Sequence, residues 1–98
     1  MITIEDIKDN SKAHSPLGGS KTVIKYKNIL ISIVGGRRGL YGDFDKDFEI
    51  AIISDKTKDF VTKFYNPESH DDVMAYVPVD EMMKFINKIV KGKSFRFL

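Results

Sequence analysis

Between Thr22 and Ile33 apolar side chains return at every second position, with a single break at Lys27-Asn28. Thr22, Ile24 and Tyr26 fall on one face and Val23, Lys25 and Lys27 on the other; after the break Ile29, Ile31 and Ile33 resume the pattern. A period of two belongs to extended chain, whose side chains alternate across the strand, and a two-residue polar break between two such runs reads as a hairpin turn. The period returns where Phe48, Ile50 and Ile52 alternate with Glu49, Ala51 and Ile53, a run apolar on nearly both faces, as expected of an internal strand. Ser54 to Lys58 then reads as a polar hairpin loop, and Phe60 to Tyr65 as a fourth strand, with Phe60 and Phe64 set against Val61 and Lys63. Successive strands joined by short polar loops predict an antiparallel meander.

The flanks change period. Thr3 before Ile4, Asp6 and Ile7 predicts a short helix with Thr3 as N-cap and acids in the first turn, where the helix dipole favours them. Asn10 to Ser20, with Pro16, Gly18, Gly19 and three serines, has loop composition. Asn66-Pro67-Glu68-Ser69 ends the sheet, and His70 to Tyr76 is read as a crossing toward the last element. Pro78 suits a first helical position, Asp80 and Glu81 the first turn, Lys88 and Lys91 the last, and Gly92 the position just past the end. Val79, Met82, Met83, Ile86, Ile89 and Val90 form one stripe on that helix, able to cover a face of the sheet. Phe95 and Phe97, alternating with Arg96, offer a short edge strand or an interface. The expected fold is α+β: a single domain with a four- or five-stranded antiparallel β-meander, one C-terminal helix packed on a face and a short N-terminal helix. It divides into helix and loop (1–20), meander (21–65), crossover and helix (66–92) and tail (93–98).

Size supports one core: 98 residues leave no apolar surface for a second. The chain has no cysteine, so disulfides and thiolate metal sites are excluded. No apolar run approaches the ~20 residues of a membrane helix, and the first ten residues lack the apolar core of a signal peptide. Sixteen basic and fourteen acidic residues, mixed along the chain, give a net charge of +2. That is not the block of positive charge expected of a duplex nucleic-acid binder, but it permits a local basic site for a small anion, or a protein partner.

The chemically suggestive stretch is Gly35 to Asp43, G-G-R-R-G-L-Y-G-D, between two strongly apolar runs. As a ligand site, Gly35, Gly36, Gly39 and Gly42 would let backbone amides approach phosphate oxygens, Arg37 and Arg38 would supply guanidinium forks, and Tyr41 an aromatic platform. As plain architecture, it is a long hairpin connection whose arginines pair with Asp43, Asp45 or Asp47. It is not a P-loop, because no Gly-Lys-Ser/Thr follows and a strand comes next. His70-Asp71-Asp72 has the residue types of a metal site, yet adjacent carboxylates on extended chain point apart and His14 lies in a remote loop. Asp71 and Asp72 are retained as candidates to hold the arginines or to accept from a ligand's hydroxyls. No nucleophile in a recognisable setting and no acid–base pair is evident, so neither an enzyme nor a cofactor nor a metal is expected.

The turn G-R-R-G-L-Y-G, followed by F-E-I-A-I-I, then H-D-D-V-M-A-Y-V, then a proline-started helix, resembles a loose family of small tailed-phage proteins over about Val23 to Val90. It departs from that pattern at Lys27-Asn28, where Asn-Gly is usual, and at Val77, where a Thr or Ser cap is usual. The resemblance implies a viral protein acting in the cytoplasm of an infected bacterial host, and a counter-defence role. Two functions follow as expectations: sequestering an anionic nucleotide-type immune signal without catalysis, or binding a host nuclease, polymerase or defence effector directly. The aromatic tail, Phe95, Phe97 and Leu98, adds an expectation of homo-oligomers formed through the tail or a sheet edge.

Overall fold

The structure is a computed structural model that describes residues 1–13, 19–35 and 47–98. Among these residues a six-stranded sheet carries three helices, in the order α1 (Ile4–Asp9), β1 (Lys12–Ala13), β2 (Ser20–Tyr26), β3 (Ile29–Gly35), β4 (Asp47–Ser54), α2 (Thr62–Tyr65), β5 (Met74–Pro78), α3 (Val79–Ile89) and β6 (Phe95–Phe97). All pairings are antiparallel, the path through the sheet is β1-β2-β3-β4-β5, and β6 lies beside β2. The α+β fold expected from the sequence is therefore the fold observed.

The hairpin closes where the alternation breaks. Tyr26 pairs with Ile29 across Lys27-Asn28, and Ser20 with Gly35 at the far end. Lys27 takes φ 52, the left-handed region that glycine occupies more cheaply. β4 continues the ladder from Val34↔Glu49 to Ile29↔Ser54. One face of these three strands presents Ile24, Tyr26, Ile29, Ile31, Ile33, Phe48, Ile50 and Ile52, all buried. Met82 and Ile86 of α3 and Val90 at its C-cap close over it, with Ile2 and Ile7 at its margin. Each such side chain contributes about 1.5–3 kcal/mol when fully buried.

Side-chain hydrogen bonds tie the flanks to this frame. Thr3 caps α1 in a reciprocal capping box with Asp6. The Thr22 hydroxyl, fully buried, donates to the Ile7 carbonyl (2.7 Å) and fixes α1 against β2. The Asn87 amide of α3 serves both backbone groups of Ile2, accepting from its N–H and donating to its carbonyl, each at 2.9 Å.

Five expectations need correction. Phe60–Tyr65 is not a fourth strand. Only Phe60 bridges Ile53, and the chain then turns into α2. Beyond Phe60 the Thr62 side chain replaces a strand's ladder bond: its hydroxyl oxygen accepts from the Ile52 N–H (2.9 Å), and the hydroxyl donates to the Asp72 carbonyl (2.6 Å). The strand beside β4 is instead β5, in the stretch read as a crossing, with Asp47↔Pro78, Phe48↔Val77 and Ile50↔Met74 in register and a bulge between Phe48 and Ile50. Near that bulge Tyr76 holds φ 55, unusual for an aromatic residue. The segment Asn10–Ser20 is not all loop: Lys12–Ala13 forms β1 against Ser20 and Lys21. Pro78 is the N-cap of α3, with extended ψ of 154°, rather than its first helical residue.

The helix end differs too: α3 stops at Ile89 with Val90 as its C-cap, so Lys91 lies beyond the last turn, and Gly92, at φ 75, sits in the turn that leads to β6. The tail then folds back, β6 pairing Phe95, Arg96 and Phe97 with Tyr26, Lys25 and Ile24. Its two phenylalanines meet edge to face at 5.9 Å between ring centres.

Candidate functional site

The sheet has two ends, set by the direction of β3. At one end Gly35 pairs with Ser20, and Asp47 with Pro78, so the chain leaves for residues 14–18 and 36–46 there. Gly36, Arg37, Arg38, Gly39, Tyr41 and Gly42 lie outside the described residues. Gly35 itself is the last residue of β3.

Asp71 and Asp72 stand elsewhere. The Thr62 hydroxyl binds the Asp72 carbonyl beside Ile52, and the Ser69 hydroxyl donates to the Asp71 carbonyl at 2.9 Å. Gly35 is one position beyond the Val34↔Glu49 pair and so level with Phe48, four residues from Ile52. At ~3.3 Å per residue that is roughly 13 Å along the strand. Both aspartates are exposed, and their neighbourhood is a hollow lined by Asp71, Asp72, Val73 and Ala75. The described part of the glycine stretch and the two aspartates are thus not brought together. Among the described residues no group of three His, Cys, Asp or Glu side chains gathers to hold a metal ion, and no helix is long and apolar enough to cross a membrane.

Among the described residues a groove lies at the opposite end from Gly35, around the β2–β3 hairpin tip. The groove, of about 530 Å³, is bounded by Tyr26, Lys27, Asn28 and Ile29 of the tip, by Phe64 and Tyr65 of α2, and by Phe85, Lys88, Ile89 and Lys91 of α3 and its end. Three different devices place these walls. The tip is braced by the 54–58 turn, whose Asp55 N–H donates to the Asn28 carbonyl at 2.8 Å. Lys58 and Lys25 both bind the Asp55 carboxylate, at 2.9 and 3.1 Å, and hold its pKa below the ordinary carboxylate value. α2 is fixed by buried Thr62 as described, which leaves Phe64, 85 % exposed, at the rim. α3 offers the groove Phe85, Lys88 and Ile89, residues three and four apart and hence neighbours on one face.

Chemically, the groove combines an apolar aromatic floor with three ammonium groups. Lys27 leans over the Tyr26 ring, its Nζ 5.3 Å from the ring centre, so one of those charges already sits against an aromatic face. Such a wall suits a flat apolar group carrying negative charge. These residues escaped the sequence reading because none belongs to a compact motif. Two signals were nonetheless present: Phe85 falls outside the helix stripe that faces the sheet, and Phe64-Tyr65 places two aromatics side by side just before Asn66-Pro67.

Compared with protein-family models, curated proteins and solved structures, the chain has no significant match in any of the three.

Proposed function

We propose that this protein is a non-catalytic binding protein that captures an anionic, nucleotide-type small molecule, and that a phage uses it to sequester a host immune signal. The observation that supports the ligand class is the groove in which Lys27, Lys88 and Lys91 surround Tyr26, Phe64, Tyr65 and Phe85. Ammonium groups on flexible stems follow a phosphate as it docks, and a base stacked on an aromatic side chain contributes about 1–3 kcal/mol. The viral setting comes from the sequence resemblance. Arg37 and Arg38, in the glycine stretch, are a second source of phosphate-binding charge on the same chain.

Thermal shift of the full chain against a nucleotide panel tests the reading. A ligand at about 100 times its Kd adds ~2.7 kcal/mol, enough to raise Tm by several degrees in a domain of this size. Lys88→Glu with Lys91→Glu should abolish the shift while Arg37→Ala with Arg38→Ala spares it; the reverse pattern would move the site to the glycine stretch. No shift across the panel would overturn the nucleotide reading.

A second reading, a protein that binds a host protein directly, is favoured by the aromatic rim: Phe64 is 85 % and Tyr65 39 % exposed on adjacent positions. Exposed neighbouring aromatics serve as anchors in protein interfaces. In that case one host protein co-purifies with the wild type and is lost with Phe64→Ser.

A further inference from the structure

The groove does not stop at Lys88. A second hollow of about 500 Å³ runs on from it toward the N-terminus of α3, sharing Tyr65, Phe85 and Lys88 with the first, and its far part carries Glu68 and Glu81. Along α3 the wall therefore passes from ammonium groups through aromatic rings to carboxylates. Glu81 and Lys88 are seven residues apart, two turns of the same helix face, so their backbones are about 10 Å apart at ~1.5 Å rise per residue. The carboxylate end repels phosphate but accepts hydrogen bonds from neighbouring hydroxyls, the way an acidic side chain recognises a ribose diol.

Resting on the nucleotide reading above, we propose that the ligand is a ribonucleoside diphosphate or a derivative of one, lying along α3. Its terminal phosphate meets Lys88 and Lys91, its base packs against Tyr65 and Phe85, and its ribose hydroxyls donate to Glu81, with Glu68 beside it. Length favours the diphosphate. A trans-extended chain advances about 1.27 Å per bond, 3.8 Å over three. The phosphorus of a 5′-monophosphate, five bonds from the 3′ oxygen, reaches about 6 Å by that measure, and a β-phosphorus, seven bonds away, about 9 Å. The second comes nearer to the ~10 Å spacing of the Glu81 and Lys88 backbones, and it carries the phosphate toward Lys91, three residues past Lys88.

Calorimetric titration of the full chain with ADP, GDP, CDP, UDP, AMP, 2′,3′-dideoxy-ADP and inorganic pyrophosphate tests this. At least one ribonucleoside diphosphate should bind more tightly than AMP and pyrophosphate, and removal of both hydroxyls should weaken binding about tenfold, the loss of one or two hydrogen bonds to a charged acceptor. Where the preferred base is not adenine, the dideoxy form of that base replaces dideoxy-ADP. Glu81→Gln should erase the difference between the ribo and dideoxy forms, and Lys88→Ala should weaken every phosphate ligand. Equal binding of ribo and dideoxy diphosphates by the wild type, or full discrimination retained in Glu81→Gln, overturns the diol assignment and leaves the nucleotide reading intact. Equal binding of AMP and ADP overturns the diphosphate. If no nucleotide binds while a peptide with one acidic and one basic end does, both readings fall.

Discussion

The two halves of the sheet are held by different means. In β2, β3 and β4 the strands pair continuously over seven and six registered positions, and their inner face is almost wholly isoleucine and phenylalanine at zero exposure. The other half, residues 60–78, meets β4 through one isolated bridge, a buried threonine hydroxyl and a short bulged ladder. The first half derives its strength from many equivalent contacts, so no single polar bond decides it. In the second, a few specific bonds each carry a large share. The candidate groove spans the boundary: its floor, Tyr26 and Ile29, belongs to the stiff half, and its rim, Phe64 and Tyr65, to the other. A rigid floor under a more adaptable rim is a common arrangement for recognition, since binding elements are drawn from the less stable parts of a fold.

Substitutions can sharpen or break that contrast. The largest effect is expected from Ile31→Ala in the stiff half, which should cost about 2–5 kcal/mol in denaturant unfolding through lost burial and a residual cavity. A cost under 1 kcal/mol would show that the ladder is not the source of the strength assigned to it. Next comes Thr62→Val, which keeps the shape but leaves the Ile52 N–H and the Asp72 carbonyl without this partner. A cost of about 1–3 kcal/mol is expected. Hydrogen exchange should rise across residues 60–78 first, and uniform loosening of the whole sheet would contradict the division. Asn87→Ala should cost less, about 0.5–1.5 kcal/mol, and should loosen the first residues selectively, because both backbone groups of Ile2 bind that side chain.

A smaller effect is expected in acid. Hydrogen bonds from the Thr3 backbone and hydroxyl lower the pKa of Asp6, as Lys58 and Lys25 lower that of Asp55. A carboxyl whose folded pKa is depressed contributes stability that is complete above its unfolded pKa and fades as pH falls through the folded one. Melting temperature should therefore fall below about pH 4, the ordinary carboxylate range. The fall should be shallower in Asp6→Asn with Asp55→Asn; unchanged steepness would remove these two groups from the acid response. Smallest of all, Phe64→Ser should leave stability within about 0.5 kcal/mol, since the ring is mostly in water, while weakening binding at the groove.

The same division governs what the sequence shows. β2, β3, β4 and α3 are written locally, in a two-residue and a three-to-four-residue period that the tertiary structure merely uses. α2 and β5 are not. Phe60 and Phe64, four apart, satisfy a strand face and a helix face alike, and the choice is made by where Thr62 finds its partners, at Ile52 and Asp72. The groove is harder still to read, because Tyr26, Tyr65 and Phe85 come together only when the hairpin tip, α2 and α3 meet. Of the residues first singled out, Gly35 ends β3 and the two aspartates lie in the bend before β5, at separate places.

The margins of the sheet carry a consequence for behaviour at high concentration. One margin is made of β1 and β6 in tandem, two and three residues long, and the other is β5, interrupted by the left-handed Tyr76 and ended by Pro78. Among the described residues, neither offers a long, flat row of free amides on which another strand could grow. Edge-to-edge strand growth should accordingly begin from unfolded chains rather than from the native sheet.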